Sequence, residues 1–438
     1  MRLQPRVLFL GEAVTLAHVA RTVSLAASLA PGHAVCVAMA DHAHRFAPEG
    51  GFELRPLETL PGARFIEALR KGAPVYDEAT LERYVQADLT LIDAWRPDLV
   101  VGDFRLSMSV SARLRGVPCL TITNAYWSPW YRQPAPLPVL PWTRYVPLPL
   151  ASALFAIARR PAMAAHAAPL NRVRARHRLP ALGRDLRRVY TDADHVAYAD
   201  VPELLPTPGA PPTHAHIGPI LWVPPAASPA WWDEAVPEPT AYVTMGSSGN
   251  PALLDSIVRA LDAHGVSALV ATAGATFTAS PGSRARVAHY LPGTEAARRA
   301  TLVVCNGGSL TGQQALAAGK PVLGIASNMD QFFNMRALEQ AGAGITVRAD
   351  RADARTLAAA IDRLLHDPAH RSAAGRLSGV FARYSAAARF RAMVSSILGR
   401  DSAGAPRHEK DPAVPDPRLR SSVQPGLSAG VGHEPPGP

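Results

Sequence analysis

Residues 303–335 of the chain read VVCNGGSLTGQQALAAGKPVLGIASNMDQFFNM. An apolar, β-branched run ends at a pair of glycines, and a helix-forming segment follows directly. Glycines let backbone N–H groups approach an anion, and the first turn of a helix adds unpaired donors and the positive end of its dipole. The spacing therefore predicts a strand, a turn and a phosphate-binding helix N-terminus. The alternative is an ordinary tight turn at Gly307 and Gly308, with Ser309 or Thr311 as a helix cap.

The same alternation of strands and helices extends on both sides of this stretch. Short apolar runs predict buried strands at residues 6–10, 33–40, 98–102, 118–122, 241–245, 268–272, 301–305 and 321–325. Helical spacing predicts helices at residues 16–29, 107–115, 251–263, 311–318 and 371–398. Apolar strands that alternate with helices are typical of parallel sheets covered on both faces, so we expect a doubly wound α/β architecture.

The chain length predicts more than one domain. At 438 residues and 48% hydrophobic content, the chain exceeds the size of one ordinary core. The prolines between residues 216 and 240 interrupt the pattern. We therefore predict a first domain at 1–217, a linker at 218–239 and a second domain at 240–400 that ends in a closing helix. Residues 401–438 are rich in Pro, Gly, Ser and charge, which predicts a disordered tail.

Charge and cysteine usage exclude several classes of protein. The net charge is +10, but the arginines are scattered and not interleaved with stacking aromatics, so we expect no nucleic-acid partner. The cysteines occur singly in apolar runs, which favours a reduced, cytoplasmic compartment. No uninterrupted apolar stretch reaches the roughly 18 residues of a spanning helix, so at most peripheral membrane contact is expected.

The run at 303–335 resembles the donor-binding signature of the UDP-glycosyltransferase family, in which a HisGlyGly-type turn, a helix and an AspGln pair surround a nucleotide sugar. This resemblance implies a GT-B fold, in which two Rossmann-like domains face each other across a cleft. It also implies a bacterial, inverting, metal-independent transfer of a hexose from a UDP- or dTDP-sugar to a hydroxyl group. The nucleotide sugar is then a co-substrate, and no cofactor and no metal ligand are predicted.

The resemblance also implies the donor-binding residues, which are Gly246, Ser247, Tyr290, Leu291, Asn306, Gly307, Gly308, Ser309, Thr311, Gln314, Asp330 and Gln331. Tyr290 is the expected base-stacking ring, although a lone tyrosine is more often packing. Asn306 stands where the family usually has His, and Gln314 stands where it usually has Glu. An amide can still hydrogen-bond a phosphate or a ribose, but it loses the charge-assisted increment.

Two residues of the first domain are candidates for catalysis. A sugar transfer with inversion needs a base for the acceptor proton, and a histidine with a carboxylate partner provides one. His18 lies at the start of the first helix, where the family pattern has its histidine, and an ordinary structural role is the alternative. Asp103 follows a buried strand at the edge where open α/β sheets bind ligands. It matches the family's His-orienting aspartate, and its alternative role is to cap the next helix.

The acceptor side is predicted from a Pro-rich aromatic segment at residues 127–150. Trp127 and Trp130 are its candidate acceptor-binding residues, and they suggest a small hydrophobic or lipid acceptor. A loop pinned to the surface by its own rings is the alternative. The sequence does not predict the oligomeric state.

Two other functions remain open at this stage. One is a nucleotide-sugar epimerase of the same fold, which would need no acceptor pocket. The other is a non-catalytic partner protein, which Asn306 and Gln314 keep in consideration. A dehydrogenase is disfavoured because GEAVTLA, and not a GxGxxG motif, follows the first strand. Asp192 and Asp194 form an AspXAsp-like pair, but it lies in the wrong domain for a donor-side metal.

Overall fold

The computed structural model describes residues 4–48 and 50–402 of the chain. Residues 403–438 of the predicted tail lie outside the described residues, whereas residues 401 and 402 end the last helix. The described chain contains two parallel sheets of seven and six strands, joined by helices. The predicted doubly wound α/β architecture with two sheets is therefore confirmed.

The first sheet has the order β3-β2-β1-β4-β5-β6-β7. Its strands are β1 (Arg6–Gly11), β2 (Ala34–Met39), β3 (Glu53–Pro56), β4 (Leu99–Asp103), β5 (Cys119–Thr123), β6 (His195–Tyr198) and β7 (His214–His216). The second sheet has the order β10-β9-β8-β11-β12-β13. Its strands are β8 (Thr240–Thr244), β9 (Ser267–Ala271), β10 (Ala285–Ala288), β11 (Leu302–Cys305), β12 (Val322–Ala326) and β13 (Gly344–Arg348).

Helices connect most of the parallel strands, whereas β6–β7 and β9–β10 are joined by segments without a helix. The helices up to the linker are α1 (Leu16–Leu29), α2 (Asp41–His44), α3 (Gly62–Lys71), α4 (Glu78–Trp95), α5 (Met108–Leu114), α6 (Leu148–Arg176) and α7 (Leu186–Tyr190). Those after it are α8 (Leu254–Ala263), α9 (Gly293–Arg299), α10 (Ser309–Ala317), α11 (Met329–Gln340), α12 (Ala354–His366), α13 (Pro368–Phe381) and α14 (Ala386–Ser402).

Strand register brings the carboxyl ends of the central strands together. In the first sheet Gly11 pairs with Asp103, so the residues after β1 and β4 leave the sheet at the same edge. In the second sheet Thr244 pairs with Cys305, which places the turns after β8 and β11 side by side. Parallel sheets keep their ligand crevices at this edge.

The predicted single helix at 371–398 is wrong, because the chain forms α13 and α14 with a break between them. In the break, Arg383 and Tyr384 donate hydrogen bonds to Glu203, which precedes the linker. The last helix then returns to the first sheet, where Phe390 packs against Phe9 with ring centroids 6.1 Å apart. The closing helix therefore completes the core of the first domain, whereas the prediction placed it in the second.

The aromatic segment at 127–150 connects the two domains. Val139 donates its backbone N–H to the carbonyl of Ser327 at 2.7 Å, and Arg348 donates to the carbonyl of Leu137 at 2.9 Å. The segment ends inside α6, a helix of 29 residues that the sequence analysis did not predict. None of the helices in the described part of the chain has both the length and the hydropathy that a bilayer crossing needs.

Candidate active site

A cavity lies between the two sheets at their carboxyl edges, and residues of both domains line it. Its lining includes both catalytic candidates and every predicted donor residue except Gly307. Gly307 has a φ of +80°, and a Cβ at this position would lie 2.8 Å from Met335 Cγ. This glycine therefore allows the turn that begins α10. The structure brings the predicted residues to one place, although the role of each stays a prediction.

The two catalytic candidates are in direct contact. His18 Nδ1 lies 2.6 Å from Asp103 Oδ1. An ionised carboxylate only accepts hydrogen bonds, so Nδ1 carries the proton of this contact and Nε2 is left as the acceptor. The Asp103 side chain is 1% exposed, and α5 begins at Met108 with Ser107 as its N-cap. Asp103 therefore contacts the imidazole, as its predicted orienting role requires, and is not the N-cap of this helix.

An arginine that the sequence analysis did not include completes this pair. The Arg21 guanidinium donates to Asp103 Oδ2 at 2.6 Å and to Oδ1 at 2.9 Å, and its Nη2 lies 2.8 Å from His18 Nδ1. Burial alone would raise the pKa of the Asp103 carboxyl, but the charges of Arg21 and His18 hold it below its ordinary value. The carboxylate is therefore ionised and fixed from two sides.

Phe104 holds the imidazole from its other face. Its ring stacks on His18 with centroids 4.9 Å apart and an interplanar angle of 19°. Phe104 adopts a φ of +58°, an uncommon conformation for a residue with a side chain. Its ring also packs against Phe65, Tyr76 and Tyr190. These contacts stabilise a strained backbone next to a functional group, as is common in active sites.

A buried polar network extends from Arg21 into the second domain. Arg21 donates to Asn124 Oδ1 at 2.7 Å, and Asn124 Nδ2 donates to both carboxylate oxygens of Asp200. Gln313 of α10 donates to Asp200 Oδ1 at 3.1 Å, and Ser309 donates to Asn124 Oδ1 at 3.4 Å. Burial raises the pKa of the Asp200 carboxyl to about 6. The network therefore joins the catalytic candidates to the predicted donor helix.

The N-terminus of α10 has the features of an anion site. Gly308 is its N-cap, and Ser309, Leu310 and Thr311 line the cavity. The backbone N–H groups of a first helical turn have no partner within the helix. Asn306 lies beside this turn, accepts from Gly308 N–H at 3.0 Å and donates to Ser248 Oγ at 3.0 Å. Asn306, a predicted donor-binding residue, therefore also stabilises the glycine turn.

The other predicted donor-binding residues differ in how many of their polar atoms already form hydrogen bonds within the protein. Gln314 donates to the carbonyl of Trp222 at 2.6 Å. Gln331 Oε1 accepts from Ser327 and Asn328 in a capping box at the start of α11. The protein therefore uses one Nε2 hydrogen of Gln314 and the Oε1 of Gln331, which leaves part of each amide for a ligand.

Asp330 and Tyr290 have more freedom toward a ligand. Asp330 Oδ1 accepts from Trp127 Nε1 at 2.8 Å, a contact that crosses between the domains. The Tyr290 ring packs edge-on against Phe46 with centroids 6.3 Å apart and remains partly exposed. Ser247 Oγ accepts from the backbone N–H of Leu16 at 3.0 Å, which ties the turn after β8 to the start of α1.

The side of the cavity away from α10 is apolar. Its lining includes Phe65, Leu69, Val75, Phe104, Trp127, Leu140, Phe155, Met163, Val189 and Tyr190. The structure places Trp127 in this wall, as predicted for an acceptor residue. Trp130 is 38% exposed, does not line this cavity and packs beside Gly209. The structure therefore does not place Trp130 in the cavity wall, and its acceptor contact stays a prediction.

The AspXAsp-like pair takes part in ion pairs. Asp192 lies 2.5 Å from Arg174 and 3.1 Å from Arg113. Asp194 accepts from the backbone N–H of Cys119 at 2.9 Å. Across residues 4–48 and 50–402, no group of three or more His, Cys, Asp or Glu side chains is arranged to hold a metal ion.

Comparisons with known proteins agree with this geometry. Residues 251–385 match the family model of the erythromycin biosynthesis protein CIII-like C-terminal domain. A PGL/p-HBAD biosynthesis rhamnosyltransferase of Mycobacterium bovis (strain BCG / Pasteur 1173P2) is 44% identical over 405 residues, which cover 92% of this chain and 86% of that protein. A PGL/p-HBAD biosynthesis glycosyltransferase of Mycobacterium tuberculosis (strain ATCC 25177 / H37Ra) is 43% identical over 92% of this chain and 91% of its own length.

The fold is shared with solved structures at lower identity. The spinosyn rhamnosyltransferase SpnG superimposes with a TM-score of 0.63 at 23% identity, over 89% of this chain and 100% of its own. A structure of the same protein complexed with thymidine diphosphate gives a TM-score of 0.62 at 22% identity, over 89% of this chain and 100% of its own.

Proposed function

The chain belongs to the bacterial glycosyltransferase family that includes the PGL/p-HBAD biosynthesis glycosyltransferases, and on that premise we propose that it transfers a hexose with inversion and without a metal ion. It is a glycosyltransferase with a GT-B fold. The donor of the proposed reaction is a UDP- or dTDP-sugar, and the acceptor is a hydroxyl group of a small hydrophobic or lipid molecule. The hydrogen-bonded pair of His18 and Asp103, in a cavity that also contains the N-terminus of α10, carries this proposal.

In the proposed mechanism, the acceptor oxygen attacks the anomeric carbon from the face opposite the nucleotide. The acceptor proton moves to His18 Nε2, and Asp103 stabilises the imidazolium through its contact with Nδ1. As the bond to the diphosphate breaks, the bond to the acceptor oxygen forms on the other side, which inverts the anomeric configuration. The charge of the leaving diphosphate meets the backbone N–H groups of residues 309–311 at the N-terminus of α10.

The choice of nucleotide and sugar rests on the relatives. The rhamnosyltransferase that is 44% identical to this chain makes rhamnose the first sugar to test. The related fold whose structure contains thymidine diphosphate makes dTDP the first nucleotide to test. The apolar half of the cavity favours transfer over epimerisation, because a nucleotide-sugar epimerase needs no acceptor pocket.

Nucleotide binding tests the donor half of the proposal. We expect one nucleotide diphosphate among UDP, dTDP and GDP to raise the melting temperature equally with and without EDTA, and we expect NAD to have no effect. Stabilisation that disappears with EDTA would refute metal independence, and no response to any nucleotide would refute the donor site.

A single substitution tests the catalytic half. We expect His18→Ala to lower the transfer rate by about 10² to 10⁴, with nucleotide affinity unchanged. A rate that stays within threefold of the wild-type rate would remove His18 from the mechanism.

A further inference from the structure

The exposed apolar side chains of this protein are concentrated in one region. Among the described residues, the large apolar side chains that are exposed lie at Trp130, Trp142, Tyr145, Leu148, Leu150, Leu154 and Ile157, and elsewhere only at Leu54 and Leu221. Tyr145 is 71% exposed and Ile157 is 79% exposed. Exposed apolar patches of this kind mark interaction sites, and this one is formed by the end of the aromatic segment and the start of α6.

The start of α6, residues 148–157, is apolar except for Ser152. Ala151 and Phe155 are buried, and Phe155 contributes to the wall of the active-site cavity. Leu150, Leu154 and Ile157 follow at i, i+4 and i+7, so they share the opposite face, which is open to solvent. We call Tyr145, Leu148, Leu150, Leu154 and Ile157 the apolar ridge.

A groove rich in arginine lies beside the apolar ridge. Its lining includes Arg132, Arg159, Arg160, Arg184 and Arg187. Arg187 is paired with Asp185 at 2.8 Å. Among the described residues, Asp185 is the only carboxylate in the lining of this groove, so Arg132, Arg159, Arg160 and Arg184 have no acidic partner within it. The lining therefore has five arginines against one aspartate, and the chain contains no Asp or Glu from residue 104 to residue 184.

The groove and the active-site cavity have a common wall, since Trp127 and Met163 line both. A molecule that lies in the groove is therefore next to the acceptor side of the cavity. We propose that the apolar ridge and the arginine groove together bind the surface of an anionic lipid bilayer. In this arrangement the ridge inserts between the lipid chains at the level of the head groups, and the arginines bind the lipid phosphates.

Charge complementarity favours a bilayer over a second copy of the chain. In a symmetric dimer through this face, the arginines of one copy would meet those of the other, with no acidic side chain from residues 104–184 to separate them. An anionic bilayer supplies both of the chemistries that the face requires: hydrocarbon for the ridge and phosphate for the groove.

Vesicle sedimentation of the full chain tests this proposal. The probes are vesicles of phosphatidylcholine alone and vesicles with 30% phosphatidylglycerol, each in 0.1 M and 0.5 M NaCl. We expect binding to the anionic vesicles that weakens at the higher salt concentration, because salt screens exposed charges.

Two double variants separate the contributions of the ridge and the groove. Leu154→Gln with Ile157→Gln should weaken binding at least tenfold, since these exposed side chains enter the interface. Arg159→Gln with Arg160→Gln should weaken it by roughly 25-fold, or about fivefold for each arginine. Two matched controls lie away from this face and should each change vesicle binding by less than about threefold. They are Leu54→Gln with Leu221→Gln and Arg371→Gln with Arg376→Gln.

The vesicle-binding results distinguish a bilayer from a second copy of the chain as the partner of this face, and they do not depend on the transfer reaction. Absence of binding to anionic vesicles, or equal binding by the ridge variant and the wild type, would overturn the proposal. A wild-type dimer that the ridge variant converts to monomer, without vesicle binding, would identify the face as a subunit interface. Because the vesicle assay contains no donor, binding can hold even if the proposed chemistry fails, and a melting temperature close to that of the wild type shows that each variant is folded.

Discussion

Asp103→Asn is the substitution that most directly probes the catalytic pair. The carboxylate accepts from His18 Nδ1 and Arg21 Nη2 at Oδ1, and from Arg21 Nε at Oδ2. An asparagine has the same shape but one acceptor and one donor. Whichever way the amide turns, one of these buried donors faces another donor.

Each orientation of the amide has a defined consequence. If its NH₂ faces His18, the imidazole must accept through Nδ1, so the proton moves to Nε2 and the base is blocked. If its NH₂ faces Arg21 Nε, a charged hydrogen bond of 2.6 Å is replaced by a repulsive contact. In both cases the buried guanidinium loses its counter-charge, which costs at most about 3 to 5 kcal/mol of stability.

We therefore expect Asp103→Asn to lower kcat by about 10² to 10⁴, measured at saturating donor and acceptor. The matched control is Asp88→Asn, which removes a fully buried carboxylate from its pair with Arg105. This control should lose comparable stability in chemical denaturation and keep kcat within about threefold. A folded Asp103→Asn enzyme with a near-wild-type kcat would refute the reasoning, as would an equal loss of kcat in the control.

Three further predictions concern the cleft and the core. Trp127→Phe keeps an aromatic ring but removes the hydrogen bond to Asp330, which should lower kcat/KM by about 10- to 150-fold, since bonds to charged groups contribute about 1.5 to 3 kcal/mol. An unchanged kcat/KM would show that this contact between the domains is dispensable. In calorimetry, Asp330→Ala should lower the affinity for the intact nucleotide sugar more than the affinity for the free nucleotide diphosphate. Equal losses of affinity would exclude a sugar contact. Burial raises the pKa of the Glu12 carboxyl from 4.5 to about 7 although Arg105 opposes the change. The folded state therefore binds this proton more tightly than the unfolded state. As the pH rises from 4.5 to about 7, the free energy of unfolding therefore falls. The loss of unfolding free energy from pH 5 to pH 8 should be up to about 3 kcal/mol smaller in Glu12→Gln, and the same loss in both proteins would contradict this assignment.

Strand and helix periodicity predicted the central strands of both sheets and several of the helices beside the cleft, but not α6 or α11, which also line it. The predicted helix at 16–29 coincides with α1, because its apolar spacing and its flanking turn residues are local signals. The break between α13 and α14 carries neither Pro nor Gly in the residues 382–385. It depends on Glu203, about 180 residues earlier in the chain, and a contact of that range leaves no mark on local periodicity.

The sequence contained signals for the parts of the site that were missed. Arg21 follows His18 by three residues, and residues at this spacing are neighbours on a helix face. Asn124 and Asp200 come just after β5 and β6, the same edge position that identified Asp103. The capping box of Asn328 and Gln331 is also legible as a local motif. What the sequence could not provide is the distance between the two domains, on which the contacts of Gln313 and Ser309 depend.

The neutral amide at position 306 illustrates how the site can work without the family's usual histidine. Its Oδ1 is used by Gly308 N–H and one hydrogen of Nδ2 by Ser248, and an amide nitrogen carries two hydrogens. One donor therefore stays available on the side chain that also fixes the turn. Since this donor is uncharged, the N-terminus of α10 provides most of the stabilisation of the diphosphate charge in the proposed reaction. The buried network through Gln313 and Ser309 connects that same helix to His18 and Asp103, so the positions of the proposed anion site and the proposed base are set together.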